Sequence, residues 1–164
     1  MKYFKCLDVK SPNRGTERSA GIDFFVPNYT DEFIKEFKLK NSKINITDTG
    51  IYLYPHERVN IPSGIKACIP KGYALIAYNK SGVSLKYGLD VGASVIDEDY
   101  QGEIHISLVN TGDDLVHIDF GQKIIQFILI PVFYDSLEEV NSETECFTEQ
   151  TARGSGGYGS TGEK

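Results

Sequence analysis

Cysteine is sparse in this sequence and unpatterned. The three residues, Cys6, Cys68 and Cys146, are widely spaced, no CxxC pair occurs, and His56, His105 and His117 lie far from them in sequence. That spacing argues against a zinc site, and an odd count at long intervals points to free thiols in a reducing compartment. A basic excess is also missing. Lys and Arg number 17 against 23 Asp and Glu, a formal net charge of −6. Generic nucleic-acid binding rests on cations neutralising phosphates and is not expected here. A small polyanion can still bind where a few cations converge. The start, MKYFKCLDVK, has no apolar signal stretch, and no window approaches the length of a membrane span. The three N-x-S/T sequons, at Asn28, Asn45 and Asn79, are therefore read as chance. The expectation is a cytoplasmic protein (nuclear or in a host cytoplasm, depending on source), not secreted and without a membrane partner.

What is present is the make-up of one globular domain. The 164 residues suffice to bury a core, and 40% are apolar against 24% charged. Short apolar runs alternate with Gly, Pro, Asn and Asp turns, the pattern of an all-β chain. Residues 2–9 alternate weakly, and 50–54 place Ile51 and Leu53 on one side. Residues 57–69 hold two strands split at Pro62-Ser63-Gly64, and 72–78 another. In EIHISLVN, Ile104, Ile106 and Leu108 share one face while His105 and Ser107 take the other. The run IIQFILIPVF predicts a strand buried on both faces. One helix is predicted over 28–38. Phe33, Ile34 and Phe37 fall on one side of it, acids open it, and Thr30 or Asn28 can cap it. Residues 40–50 read as a loop leading back into sheet. No internal repeat is visible.

The last residues change character. Five glycines stand between Gly154 and Gly162, with no hydrophobic period. By composition this is a flexible tail. The alternative is a phosphate-binding arm that uses Arg153, the hydroxyls of Ser155, Ser160 and Thr161, the aromatic Tyr158, and backbone N–H groups that glycine lets approach an anion.

Four other places can carry chemistry. Asp97, Glu98 and Asp99 form an acidic run beside Tyr100, between Gly92 and Gly102. Strand alternation would set Asp97 and Asp99 opposite Glu98. The run is either an acidic hairpin or a general base with an aromatic platform. Asn79-Lys80-Ser81-Gly82 follows a strand and is either a turn or an oxyanion site. Asp23 follows Gly21 at the start of an apolar stretch. Gln126 is the one polar side chain in Ile124–Ile130, either a satisfied core group or a ligand contact.

Five blocks in this order resemble the homotrimeric dUTPases: SAGIDFFVP at 19–27, NKSGVSLKYGL at 79–89, VGASVIDEDYQGEI at 91–104, GQKIIQFIL at 121–129 and RGSGGYGSTG at 153–162. The third and fifth are highly specific. The resemblance implies a distorted jelly-roll of antiparallel strands. It implies a homotrimer in which each active site draws motifs from all three subunits. The implied reaction is hydrolysis of dUTP to dUMP and pyrophosphate with Mg²⁺. A body over 1–150 would carry the fold, and a Gly-rich arm over 151–164 would close over a site.

Residue by residue, the resemblance implies that Asp97 activates the water attacking the α-phosphorus. Tyr100 packs on the deoxyribose and leaves no room for a 2′-hydroxyl. The turn 89–97, including Val91, Gly92 and Val95, reads uracil through its backbone. Lys80, Ser81, Gly82 and Gln126 contact phosphates, and Asp23 holds metal-bound water while Mg²⁺ sits mainly on the phosphates. Arg153, Gly159, Ser160 and Thr161 meet the γ-phosphate, and Tyr158, where the family usually has Phe, stacks on uracil. Two departures stand out. Lys80 occupies the place of the usual Arg and cannot make its bidentate fork. Residues 28–50 form an insertion, either packing decoration or a contact with another subunit or protein. Two competing readings share the fold. One is a dCTP deaminase relative, whose catalytic Glu sits in a setting unlike DEDYQGE. The other is a dUTP-sensing regulatory protein.

Overall fold

In the computed structural model, residues 1–40 and 44–157 are described. The chain runs β1 (Lys2–Lys5), β2 (Ile22–Phe25), α1 (Asp31–Lys40), β3 (Asn45–Ile46), β4 (Gly50–Leu53), β5 (Arg58–Pro62), β6 (Ile65–Cys68) and β7 (Tyr73–Asn79). It continues through α2 (Ser81–Tyr87), β8 (Leu89–Val91), β9 (Val95–Ile96), β10 (His105–Asn110), β11 (Val116–Asp119), β12 (Lys123–Pro131) and α3 (Glu143–Cys146). The strands form four small sheets, ordered β1-β6, β5-β10-β8, β11-β4-β3 and β2-β12-β7-β9. Every ladder is antiparallel among the described residues. The all-β architecture is the one the turn-punctuated sequence predicts, although the described residues form three short helices where one was expected. No described helix is long and apolar enough to cross a membrane.

The chain divides into two units, Met1–Phe133 and Tyr134–Lys164. The hydrophobic core lies in the first. Phe24 and Phe127 meet across β2 and β12 with ring centroids 4.5 Å apart, among fully buried Ile51, Ile61, Leu75, Ile106 and Ile118. Ile104, Ile106 and Leu108 are all buried, as the period-2 alternation requires. The run after Gly121 is buried on both faces only in its first half. Ile124, Ile125 and Phe127 are buried, but Ile128, Leu129 and Ile130 are half-exposed in the single chain. In the second unit the described residues include no buried side chain, and Ser142 caps α3 by accepting from the Glu145 N–H at 3.3 Å.

The predicted helix forms at Asp31–Lys40, shifted from 28–38 because Thr30 is the cap, its Oγ1 accepting from the Phe33 N–H at 3.3 Å. Its apolar side packs in an aromatic cluster. Tyr29 stacks on Phe33 at 4.5 Å and meets Phe120 edge-on at 5.2 Å. The Tyr29 hydroxyl donates to the Pro62 carbonyl at 2.5 Å, and burial, with the charge of Glu103, raises its pKa. The stretch read as a loop over 40–50 contains the two-residue strand β3, paired with β4. Helix α2 was not expected. SGVSLKY carries Ser, Gly and Val, poor helix formers, and buries only Val83, so no apolar stripe announces it.

Candidate active site

Two groups of predicted site residues stand at opposite ends of β7. At one end, Asp23 is 4% exposed, on β2 opposite Gln126 of β12. Its position is set locally. Asn13 bridges to the Asp23 backbone, and the Arg14 guanidinium donates to the carbonyls of Ser19 and Ala20 at 2.5 and 2.6 Å. One carboxylate oxygen of Asp23 pairs with the Lys80 ammonium, the other with Lys123 Nζ at 3.0 Å. Burial raises the Asp23 pKa, but the hydrogen bonds and charges of the two lysines outweigh it and hold the carboxyl below its usual range. Gln126 Nε2 donates to the Asn79 carbonyl at 2.8 Å. A Cβ on Gly21 would stand 2.8 Å from Cδ of Gln126, so the glycine is what admits this side chain. Just beyond, Ser81 and Gly82 form the exposed first turn of α2.

Lys80 is anchored in this arrangement. It is a point charge held by a buried carboxylate, and Lys123, which the sequence reading left out, shares that carboxylate. Gln126 is neither a sealed core group nor free: half-exposed, it bonds to Asn79 and faces the same cluster.

At the other end, Val95 and Ile96 pair with Ile76 and Leu75. The segment between the two ends runs along β7. The Val91 N–H donates to Asn79 Oδ1 at 2.9 Å, and the Ala77 N–H to the Ser94 carbonyl at 2.8 Å. The segment 89–97 is not a simple hairpin, since β8 pairs with β10 and β9 with β7. A cavity of about 250 Å³ opens there, lined by Asn60, Ala93, Val95, Ile96, Asp97, Tyr100, His105 and Ser107. Asp97, Tyr100 and Val95 thus meet in one pocket. Asn60, His105 and Ser107 reach it because Ser107 pairs with Asn60 across β10 and β5, on the face turned from Ile106 and Leu108. Alternation placed His105 and Ser107 on that face; nothing in the sequence singled out Asn60, whose strand partner lies 47 positions away.

The acidic run is a turn and not an alternating strand. The Tyr100 N–H donates to the Asp97 carbonyl at 3.2 Å, which curls the backbone and cancels the expected two-sided display. Asp97 is exposed to the pocket. Glu98 is structural: its Oε2 accepts from the Gly72 N–H at 2.6 Å, tying the turn to the loop before β7. The Tyr100 hydroxyl donates to the Glu103 carbonyl at 2.8 Å, and Glu103 Oε1 accepts from the Gly64 N–H at 2.7 Å. A Cβ on Gly102 would lie 2.9 Å from Cε2 of Tyr100 and closer still to its Cζ and Oη. Gly102 therefore clears the space in which the ring lies.

Arg153 is exposed in the second unit, where its carbonyl accepts from the Gly156 N–H at 3.0 Å. Tyr158, Gly159, Ser160 and Thr161 lie outside the described residues. Among the described residues no group of three or more His, Cys, Asp or Glu could hold a metal ion.

The profile of the family described as dUTPase matches residues 46–162. A Chlamydia pneumoniae deoxyuridine 5'-triphosphate nucleotidohydrolase is 44% identical over 114 residues, covering 68% of this chain and 76% of that protein. The mouse protein of the same description is 35% identical over 153 residues, covering 93% and 78%. Among solved structures, a Staphylococcus bacteriophage 80alpha dUTPase with dUpNHpp superposes with a TM-score of 0.75 at 21% identity, over 98% of this chain and 97% of that one. That likeness concerns the fold. The profile match over most of the chain and the identity to the bacterial and mouse enzymes show that this chain belongs to the dUTPase family.

Proposed function

We propose that the chain hydrolyses dUTP to dUMP and pyrophosphate with Asp97 as the base that activates water. The observation that carries the reading is the pocket itself. It presents one exposed carboxylate, Asp97, beside the one phenol ring among its lining residues, Tyr100. A carboxylate within reach of a bound water can take its proton as the oxygen attacks phosphorus. Ala93, Val95 and Ile96 bring backbone amide groups to the base, where an edge complementary to uracil opposes cytosine, whose amine reverses the donor pattern. The Tyr100 ring, tethered at its hydroxyl, packs on the sugar and excludes a 2′-hydroxyl.

The phosphate cluster supports a shared site. Asn79, which anchors it, lies four residues along β7 from Leu75, the partner of Ile96, or roughly 13 Å in an extended strand. Asp97 and the Lys80 cluster of one chain thus lie apart along β7, which supports a site completed by another copy. A symmetric trimer brings the cluster of one copy to the pocket of another, and the arms over 151–164 supply Arg153, Tyr158, Gly159, Ser160 and Thr161. Lys80, Ser81, Gly82 and Gln126 then meet the phosphates. Asp23 serves as the counter-ion that keeps Lys80 and Lys123 in place.

The donor set suits a magnesium ion carried by the triphosphate and its water more than one coordinated by the chain, because both Asp23 oxygens already face ammonium groups. When bound, Mg²⁺ neutralises phosphate charge, and the residues named above orient the nucleotide and the water.

The test is pyrophosphate release by purified protein with Mg²⁺. dUTP should be turned over and dTTP, dCTP and UTP barely touched; no dUTP turnover sinks the proposal. Sedimentation should show a trimer, and a monomer would contradict the shared site. Gly102→Ala tests the sugar gate. Its methyl displaces the Tyr100 ring, so the preference for dUTP over UTP should fall by about tenfold or more, the factor of one lost ordinary contact. Unchanged selectivity would remove Tyr100 from that role.

A further inference from the structure

The two ends of the segment 91–96 are held against β7 by different means. At Ile96 and Val95 the hold is a backbone ladder to Leu75 and Ile76, continued by the bond from the Ala77 N–H to the Ser94 carbonyl at 2.8 Å. At Val91 it is a side chain. Asn79, the last residue of β7, accepts from the Val91 N–H through Oδ1 at 2.9 Å, and its Nδ2 donates to the Asp90 carboxylate. The same Asp90 oxygen accepts from the Val91 N–H at 2.9 Å. Asn79, Asp90 and Val91 thus close on one another.

This corner suits an amide. Val91 offers an N–H and Asp90 a carboxylate, so the head of Asn79 has one orientation, oxygen to the N–H and nitrogen to the carboxylate. A carboxylate at position 79 would face Asp90 charge against charge. A methyl there would leave the Val91 N–H to Asp90, which belongs to the same segment and ties it to nothing else. Pairing with Leu108 fixes Val91 to β10, and the Asn79 side chain sets its distance from β7. Asn79 is not one of the residues lining the cavity, so it acts through the segment. Its carbonyl serves a different neighbour, accepting from Gln126 Nε2 at 2.8 Å. That bond is made by the main chain and survives a change of side chain.

We propose that Asn79 is a positioning residue for base recognition, its amide locking the start of the segment 91–96 to β7. The inference rests on the reading of that segment as the part of the site that meets uracil. Groups that read a hydrogen-bonding edge must be held to within about 0.5 Å, and the ladder at Ile96 fixes only one end of theirs.

The experiment uses two ligands in the presence of Mg²⁺. A non-hydrolysable dUTP analogue reports on base and phosphates together, and pyrophosphate, as an inhibitor, reports on the phosphate end alone. Both are measured for wild type, Asn79→Ala, Asn79→Asp and the double variant Asn79→Asp with Asp90→Asn. Asn79→Ala should weaken the analogue by about tenfold, the factor of one hydrogen bond of ordinary strength, and leave inhibition by pyrophosphate unchanged. Asn79→Asp should weaken the analogue further, because repulsion opens the corner instead of emptying it. The double variant should recover most of the affinity, since donor and acceptor have exchanged places and the carboxylate at 79 accepts from both the Val91 N–H and the amide at 90. A thermal melt of each variant shows that the fold is retained. The proposal is overturned if Asn79→Ala binds the analogue as the wild type does. It is equally overturned if pyrophosphate loses as much as the analogue, the mark of a general loosening, or if the double variant binds no better than Asn79→Asp alone. A wild type that does not bind the analogue at all is a separate result, and it removes the reading of the site from which this proposal starts.

Discussion

Asp97→Asn should abolish dUTP turnover while leaving the nucleotide bound. Asn has the shape of Asp and keeps a carbonyl oxygen, so the pocket with Ala93, Ile96 and Tyr100 retains its walls. What it loses is the lone pair basic enough to take a proton from water. Positioned general bases contribute about 10²–10⁴-fold, and kcat should fall by at least that factor. The substitution touches neither the core nor the ties of the turn. Asp97 is exposed, and the bond that curls 97–100 comes from its backbone carbonyl. A thermal melt should therefore match the wild type, and titration with a non-hydrolysable dUTP analogue should give a similar affinity. Turnover equal to the wild type would remove Asp97 from the role of base, whatever else the pocket binds.

Deleting residues 150–164 is the second large effect, and it should divide catalysis from stability. Among the described residues, every member of the hydrophobic core lies in the unit Met1–Phe133, and those of Tyr134–Lys164 have no buried side chains. The described part of the arm contributes no buried side chain, so the melting temperature should change little. Catalysis is different. The deletion removes Arg153, Ser160 and Thr161, the groups proposed to hold the γ-phosphate, together with Tyr158 over the base. Loss of a single preorganised donor to a developing charge costs about 10²–10³-fold, and several are lost here. A fall in kcat/KM of that order or more, at unchanged melting temperature, is expected. A truncated protein with full activity would mean that the Gly-rich segment is only a tail.

Much of the fold was legible in the chain. The alternation in EIHISLVN foretold the buried face of Ile104, Ile106 and Leu108 and the opposite face of His105 and Ser107, because a strand's period of two follows from its pleat. Phe33 and Phe37 foretold the packed side of α1. The segment from Gly92 to Glu103 was legible as a run of candidate groups but not as shape. Local alternation set its acids on two faces, whereas the bond from the Tyr100 N–H to the Asp97 carbonyl makes a turn, and Glu98 is spent on Gly72. Helix α2 escaped notice because seven residues with one buried side chain carry no periodic signal.

The sequence by itself determined the all-β class, the order of the five blocks and most of the candidate groups for chemistry, since these depend on residue type and on neighbours a few positions apart. Only the tertiary structure decided how those groups meet. The joining of Asp23 to Lys80 and Lys123 depends on the register of β2 on β12 and of β12 on β7. The entry of Asn60 into the pocket depends on the pairing of β5 with β10. The tether of the Tyr100 hydroxyl depends on where one carbonyl points. Contacts between strands distant in the chain are set by burial of the whole core, and no local pattern encodes them.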